Sequence, residues 1–210
     1  MRLLLSTLAL AVSGPLVAAP AAQSDAPPRP SDALDTPFAA NGTISLELSA
    51  GGYRISAGRD DRIRLRWSVR RQSQLSEVEA YADVDGAEAT IVMDGPANEF
   101  HAVIEVPARS DLHLRLSAGE LSIEDVIGDK DIRLHAGEVR VDVGNPETYR
   151  RVRASVWAGE LRAEPFRRRT GGLFRSLDWR GDGEHDLRVR LKAGELRLYS
   201  KSAADRARSR

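Results

Sequence analysis

One short phrase recurs through the second half of the chain, as SAGELSI, HAGEVRV, WAGELRA and KAGELRL. Its glycines are Gly119, Gly137, Gly159 and Gly194, at intervals of 18, 22 and 35 residues, and a weaker relative, SAGGYRI, contains Gly51. Intervals of this size are typical of repeat architectures, in which each unit buries its apolar edge only against its neighbours. The repeat therefore restricts the chain to folds that stack similar units.

Apolar residues on both sides of the phrase alternate with polar residues, as expected for strands that bury one face. Leu112, Leu114 and Leu116 precede the first copy in this way, and the alternation begins near Thr43. A weak helical pattern occurs in GLFRSLDW, residues 172–179. The sequence therefore predicts an all-β domain.

The turn within the phrase has two possible geometries. A two-residue hairpin centred on Ala118 and Gly119 would need a positive φ at Ala118, or glycine in its place. A corner between two faces needs a positive φ at glycine alone, and it points both Leu116 and Leu121 inward. We therefore predict a single-domain β-solenoid, with a β-sandwich of consecutive hairpins as the alternative.

Stacked phrases would place their glutamates in one column, about 4.8 Å apart. Two unit charges at that distance repel by roughly 1 kcal/mol in water, so the column needs compensation. The glutamates are Glu120, Glu138, Glu160 and Glu195, and two residues after them stand Ser122, Arg140, Arg162 and Arg197. We expect paired surface columns rather than a metal site, although calcium between the carboxylates is an alternative.

The longest interval contains an insertion, PFRRRTGGLFRSLDWRGDGEHD, residues 165–186. A regular coil cannot absorb it, so we expect a protruding loop or short helix. Its apolar side chains, Leu173, Phe174, Leu177 and Trp179, must then be covered. They either cap the open core or form a flap that binds a partner.

The N-terminus predicts export. An apolar run after Arg2 is followed by small residues, which is typical of a secretory signal peptide, here assigned to residues 1–21. We divide the remainder into a flexible segment, 22–42, a β-domain, 43–200, and a polar tail, 201–210. With no cysteine, the chain has neither disulfides nor a lipobox, and we expect a periplasmic or secreted protein without a transmembrane anchor.

Charge and motifs exclude several classes of function. The chain contains 31 basic and 31 acidic residues, so no net attraction to nucleic acid is expected. No nucleophile elbow, phosphate-binding glycine loop or metal-binding histidine pair occurs. We therefore expect a protein that is not an enzyme and has no catalytic residues, cofactor or metal.

The signal peptide, the glycine turns and the segment GGLFRSLDWRGDGEHDLRVRLKAGELRL resemble a bacterial family of adhesin or auto-transporter-adhesin head domains of unknown function. The resemblance covers Ile44 to Tyr199. It implies a right-handed β-helix or related β-solenoid with a non-enzymatic envelope or surface role. This sequence departs from the family name because it contains no translocating β-barrel and no sorting or lipid anchor.

Taken together, these features predict an exported envelope scaffold or adhesin-like interaction module that binds an unknown envelope protein or glycan. The candidate contact surfaces are the glutamate and arginine columns and the insertion with Phe174 and Trp179. The alternative is a carbohydrate-binding or carbohydrate-active β-helix, in which Trp157 and Tyr199 would line a groove. Calcium-stabilised adhesion is a third hypothesis.

Overall fold

The fold is known from a computed structural model, which describes residues 31–96 and 99–201. The predicted signal peptide, 1–21, lies outside the described residues, as does the predicted tail apart from Lys201. No helix in the described part of the chain is long and apolar enough to cross a membrane.

The described residues form one extensive β-structure with three short 3₁₀ turns, at Gln72–Glu77, Pro146–Thr148 and Glu164–Phe166. The all-β prediction is confirmed. The strands are β1 Ser31–Pro37, β2 Gly42–Leu48, β3 Gly51–Ala57, β4 Arg62–Ser68, β5 Glu79–Asp85, β6 Glu88–Asp94, β7 His101–Val106, β8 Ser110–Glu124, β9 Lys130–Asp142, β10 Tyr149–Ala163, β11 Arg168–Arg180 and β12 His185–Tyr199.

The twelve strands make a single mixed sheet. Its main path runs β1-β4-β7-β3-β8-β9-β12-β10-β11, and a branch from β8 continues through β2 and β6 to β5. The pairs β1–β4, β4–β7, β5–β6 and β10–β11 are antiparallel, and the remaining pairs are parallel.

Each long strand that carries the repeated phrase bends at its glycine and contributes to two faces. In β8, Leu112, Leu114 and Leu116 are buried before the bend, and Leu121 and Ile123 are buried after it. The first half of β8 pairs with β2 and the second half with β3. We call the part of the sheet that contains the first halves face A, and the part that contains the second halves face B. Their inner side chains form one continuous core.

The glycines at the bends lie in one row, Gly51–Gly119–Gly137–Gly194–Gly159. The last four have φ between 120° and 132°, which is the region that glycine alone adopts freely. A Cβ atom on any of these four would also collide with the carbonyl oxygen of the preceding glycine in the row. Glycine is therefore required for two reasons, the backbone conformation and the close approach of the neighbouring strand.

Rows of buried apolar side chains run parallel to this glycine row, one on each side of it. On face A, Leu114, Ile132, Val189 and Ala154 are mutual neighbours across β8, β9, β12 and β10. On face B the corresponding row is Leu121, Val139, Leu196 and Leu161. All eight side chains are buried, and burying one Leu, Ile or Val contributes about 1.5–3 kcal/mol relative to exposure. Burial along these rows is the main source of stability in a chain without disulfides.

The strand order differs from a stack of consecutive coils. Strand β12 lies between β9 and β10, so the fourth phrase separates the second from the third. Together with the antiparallel pairs, this makes a mixed sheet that fits the β-sandwich alternative more than the predicted solenoid. The sequence could not show this order, because the four phrases are nearly equivalent as neighbours.

Two segments are strands where the sequence indicated otherwise. Most of the insertion is β11, which pairs antiparallel with β10 along its whole length, so the expected loop or helix is wrong there. Residues 31–37, within the segment expected to be flexible, are β1, which pairs with β4. Both are edge strands at the ends of the main path, and each is hydrogen-bonded to one neighbouring strand along that path.

We expect Gly137→Ala to lower the free energy of unfolding by about 3 kcal/mol or more. The methyl group would force a φ of 131° on alanine and would collide with the carbonyl oxygen of Gly119. Urea denaturation followed by circular dichroism measures this loss.

The matched control is Gly86→Ala, in the turn between β5 and β6. Gly86 also has a positive φ, 60°, but a Cβ there would meet no atom within 4 Å. Only the conformational cost of about 1 kcal/mol is expected. Equal losses for the two variants would contradict the close-approach argument.

Candidate interaction surface

The predicted glutamate and arginine columns lie on the outside of face B. The register places Glu120, Glu138, Glu195 and Glu160 side by side. Two residues further along each strand, a second row of outward side chains consists of Ser122, Arg140, Arg197 and Arg162. As in the strand order, the fourth phrase lies between the second and the third.

The two rows neutralise each other through short ion pairs. Arg140 Nε lies 2.6 Å from Glu138 Oε1, and Arg162 donates two hydrogen bonds of 2.7 Å to Glu160. The Glu160 hydrogen bond raises the pKa of Arg162 above its ordinary value. Arg162 also lies 3.5 Å from Glu195. Face B is therefore a charge-compensated surface with little unsatisfied charge for a ligand.

The insertion divides into a buried part and an exposed part. Leu177 and Trp179 pack against the core, and the Trp179 ring lies 5.0 Å from that of Phe166. In contrast, Leu173 is 57% exposed and Phe174 is 71% exposed. Phe174 is thus on the surface, whereas Trp179 serves mainly to cover the core.

An exposed aromatic pair lies at the edge of face A. Trp157 on β10 is 57% exposed, and its ring lies 5.7 Å from the Phe174 ring on β11 at an interplanar angle of 89°. Phe174 has a φ of 54°, an unfavourable value for a bulky residue. Large exposed aromatic side chains are typical of contact sites, because a complex would remove their apolar surface from water.

A groove of about 600 Å³ lies beside this pair. Its lining includes Trp157, Phe174, Arg190 and Lys192, together with Leu134, Val156 and Leu191, whose side chains are at most 3% exposed and belong to the core. A second groove of about 590 Å³, which extends to β2 and β6, shares Arg133 and His135 with the first. The two lie side by side across the strands of face A, and we call this channel-like surface with the aromatic pair the face A groove.

Cations predominate on the outer side of face A from β8 to β10. Outward positions there carry Arg115, Arg133, Arg153, Arg188, Arg190 and Lys192, against Glu47, Asp131 and Asp178 on the same rows. Asp131 lies 3.3 Å from both Arg133 and Arg190 and 3.7 Å from Arg188. One carboxylate therefore serves three guanidinium groups, which leaves a positive excess.

The pKa of Asp131 reflects these neighbours. Partial burial alone would raise it, but hydrogen bonds and charge from Arg133 and Arg190 lower it below the ordinary value. The carboxylate therefore stays ionised, and it holds Arg133 and Arg190 beside the groove.

The opposite end of face A is acidic. The hairpin of β5 and β6 carries Glu79, Asp83, Asp85, Glu88 and Asp94 on its exposed positions. Face A is thus polarised, with an acidic end at β5 and a basic, aromatic end at β10 and β11.

Sequence reasoning missed most of this surface. The residues that precede each Ala-Gly-Glu are Ser117, His135, Lys192 and Trp157, in structural order from β8 to β10. These residues differ from one another, whereas the rest of the phrase is repeated. That difference is the sequence feature that indicates a surface with its own chemistry. Tyr199, predicted to line a carbohydrate groove with Trp157, lies instead in a separate groove on face B with Arg54 and Arg140.

No cluster of three or more His, Asp or Glu side chains suited to a metal ion occurs within residues 31–96 and 99–201.

Lys130 is buried in the core at the start of β9. It is 2% exposed, and its Nζ donates a hydrogen bond of 2.9 Å to the Gly128 carbonyl and lies 3.5 Å from the Tyr149 hydroxyl. Burial lowers the pKa of Lys130 to about 8, although Asp111, Asp129 and Asp142 oppose that shift. The position replaces an apolar residue in a row that otherwise contains Leu112 and Leu187.

Comparisons with known proteins indicate the fold. No protein-family model matches the chain, and no curated protein matches it. A solved structure from Clostridium sporogenes, a "putative cell adhesion protein", has a TM-score of 0.54 at 12% identity, over 82% of this chain and 100% of that chain. A "putative adhesin" from Bacteroides fragilis has a TM-score of 0.31 at 12% identity, over 82% of this chain and 99% of that chain. The first similarity shows a shared fold.

We expect the stability of wild type relative to Lys130→Met to rise by about 2 kcal/mol between about pH 7 and about pH 9.5. Below pH 8 both folded and unfolded Lys130 are protonated, and the cost of burying the charge is fully present. Between pH 8 and 10.5 only the unfolded chain keeps the proton, so folding becomes more favourable. Urea denaturation at the two pH values measures the difference.

Lys201→Met is the control for this pH dependence. Lys201 lies 2.7 Å from Glu124, and its pKa is raised, so its contribution to stability stays constant until the pH passes 10.5. That variant should follow wild type over the same interval. Parallel curves for wild type and Lys130→Met would show that Lys130 is charged in the folded protein throughout.

Proposed function

We propose that the protein is an exported, non-enzymatic interaction module of the bacterial envelope, adhesin-like in role, which makes contact through the face A groove. The single observation that carries this proposal is the exposed Trp157–Phe174 pair beside a groove lined by more cations than carboxylates. Binding there would bury aromatic area and offset the excess positive charge in one contact.

The contrast between the two faces supports the choice of surface. On face B the arginines are held by glutamates at 2.6–2.7 Å, so a ligand would have to compete with existing pairs. On face A, Lys192 has no ion pair within the described residues and lies one strand from Trp157. A ligand would therefore have to break fewer existing ion pairs at face A than at face B, and the free-energy cost of binding would be lower there.

Export and the absence of catalysis are parts of the same proposal. The segment 1–21 has the charged start, apolar run and small-residue end of a signal peptide, which favours a periplasmic or secreted protein. The sequence contains no motif that would activate a nucleophile or hold a cofactor. The shared fold with a candidate cell adhesion protein of Clostridium sporogenes favours the same role.

We expect the double variant Trp157→Ala, Phe174→Ala to bind purified cell-envelope fragments of the host bacterium at least about tenfold more weakly than wild type. The physical reason is the loss of the exposed aromatic area that the complex would cover. Co-sedimentation of the purified mature domain with the fragments measures the binding.

Tyr81→Ala is the matched control for this experiment. Tyr81 is 52% exposed, which is similar to the 57% of Trp157, but it lies on β5 at the acidic end of face A. It should bind like wild type. Equal binding by wild type and the double variant, or an effect of the control as large as that of the double variant, would exclude the face A groove as the contact.

A further inference from the structure

We infer that the face A groove binds a linear anionic polysaccharide, one that carries carboxylate or sulfate groups at intervals along its chain. This inference rests on the proposed function, because it names the class of ligand for the same surface.

The groove has the shape that a linear polymer requires. Its two parts share Arg133 and His135. Glu47 and Asp94 line its end at β2 and β6, and its basic and aromatic part extends across β8, β9, β12, β10 and β11. The five strands of the basic and aromatic part, at a spacing of about 4.8 Å, give a channel of roughly 19 Å, perpendicular to the strands. A channel of that length fits several consecutive sugar units better than it fits a single small molecule.

The chemistry along the channel repeats with the strands. Each strand presents two outward positions: Arg133 and His135 on β9, then Arg190 and Lys192 on β12. Cations therefore occur on three successive strands, with Arg115 on β8, Arg133 on β9 and Arg190 on β12 in one row, which continues as Ser155 on β10 and as Glu47 on β2. A polymer with an acidic group on each unit, or on alternate units, can pair with them in succession.

The far end of the channel suits sugar rings. Trp157 and Phe174 present apolar ring surface, against which the C–H face of a pyranose can pack. Next to them, Ser155 and Ser176 are neighbours across β10 and β11 and offer hydroxyl groups for hydrogen bonds. Aromatic surface beside hydroxyl groups and cations matches an acidic sugar in both its apolar and its polar parts.

The surroundings favour a polymer in a groove over an anionic membrane. A flat anionic surface that covered face A would also approach Glu79, Asp83 and Asp94 on β5 and β6, which would repel it. A polymer can lie along the basic stretch alone.

The test uses three polymers and the purified mature domain. Polygalacturonate provides carboxylates, dextran sulfate provides sulfates, and unmodified dextran provides a neutral chain. Calorimetry or affinity electrophoresis should show binding to at least one charged polymer, none to dextran, and weaker binding as salt is raised. Anionic phospholipid vesicles and a thymidine oligonucleotide serve as competing anionic surfaces.

Variants locate the site. Arg190→Gln with Lys192→Gln should weaken binding to the charged polymer roughly threefold to tenfold, since each removes one solvent-exposed charge pair. Trp157→Ala should weaken it about tenfold. Arg140→Gln removes the same charge from face B, where Arg140 is paired with Glu138, and should leave binding unchanged. Lys192→Glu alone, at an exposed position, provides a second charge variant if the double variant unfolds.

Binding that is confined to the charged polymers and is lost in the face A variants supports the inference. It is overturned if no charged polysaccharide binds, if Arg140→Gln weakens binding as much as the face A variants do, or if vesicles or the oligonucleotide bind more tightly. Envelope binding that requires Trp157 and Phe174, together with no polysaccharide binding, would overturn this inference and leave the proposed function in place.

Discussion

The close approach of adjacent strands at the glycine row determines the register of the sheet. The carbonyl oxygen of one glycine occupies the place where a Cβ of the next would lie, from Gly51 through Gly119, Gly137 and Gly194 to Gly159. A slip by one residue would put a side chain against that oxygen and would turn the apolar rows outward. Packing of the core and the order of outward charges therefore both depend on this contact.

In-register stacking has an electrostatic consequence, because a repeated charge meets its own copy on the next strand. The second half of the phrase solves this on face B with a row of glutamates beside a row of arginines, as in Glu138 with Arg140 and Glu160 with Arg162. The position before Ala-Gly-Glu carries no repeated charge and varies from strand to strand. It is therefore the part of the repeat that can acquire a function without disturbing the stack, and there the structure places Lys192 and Trp157.

Much of the architecture could be predicted from residue pattern, and the rest required contacts between distant segments. Alternation of apolar residues identifies the strands, and the poor fit of Ala118 to a hairpin turn identifies the bend at Gly119. The order of strands could not be predicted, since Leu121, Val139, Leu161 and Leu196 can each pack equally well beside the others. With that order and its antiparallel pairs, the mixed sheet fits the sandwich alternative more than the predicted solenoid.

The candidate site was less predictable than the fold, because it arises from the strand order itself. If the four phrases stacked consecutively, β12 would pair with β10 on its outer side and take the edge. Strand β11 could then not pair with β10, and Phe174 could not contact Trp157. Because β12 lies between β9 and β10, it leaves one side of β10 open for β11 and brings Lys192 next to both His135 and Trp157. The exchange of two neighbouring strands thus assembles the aromatic and basic parts of one groove from segments whose local sequences give no indication that they meet.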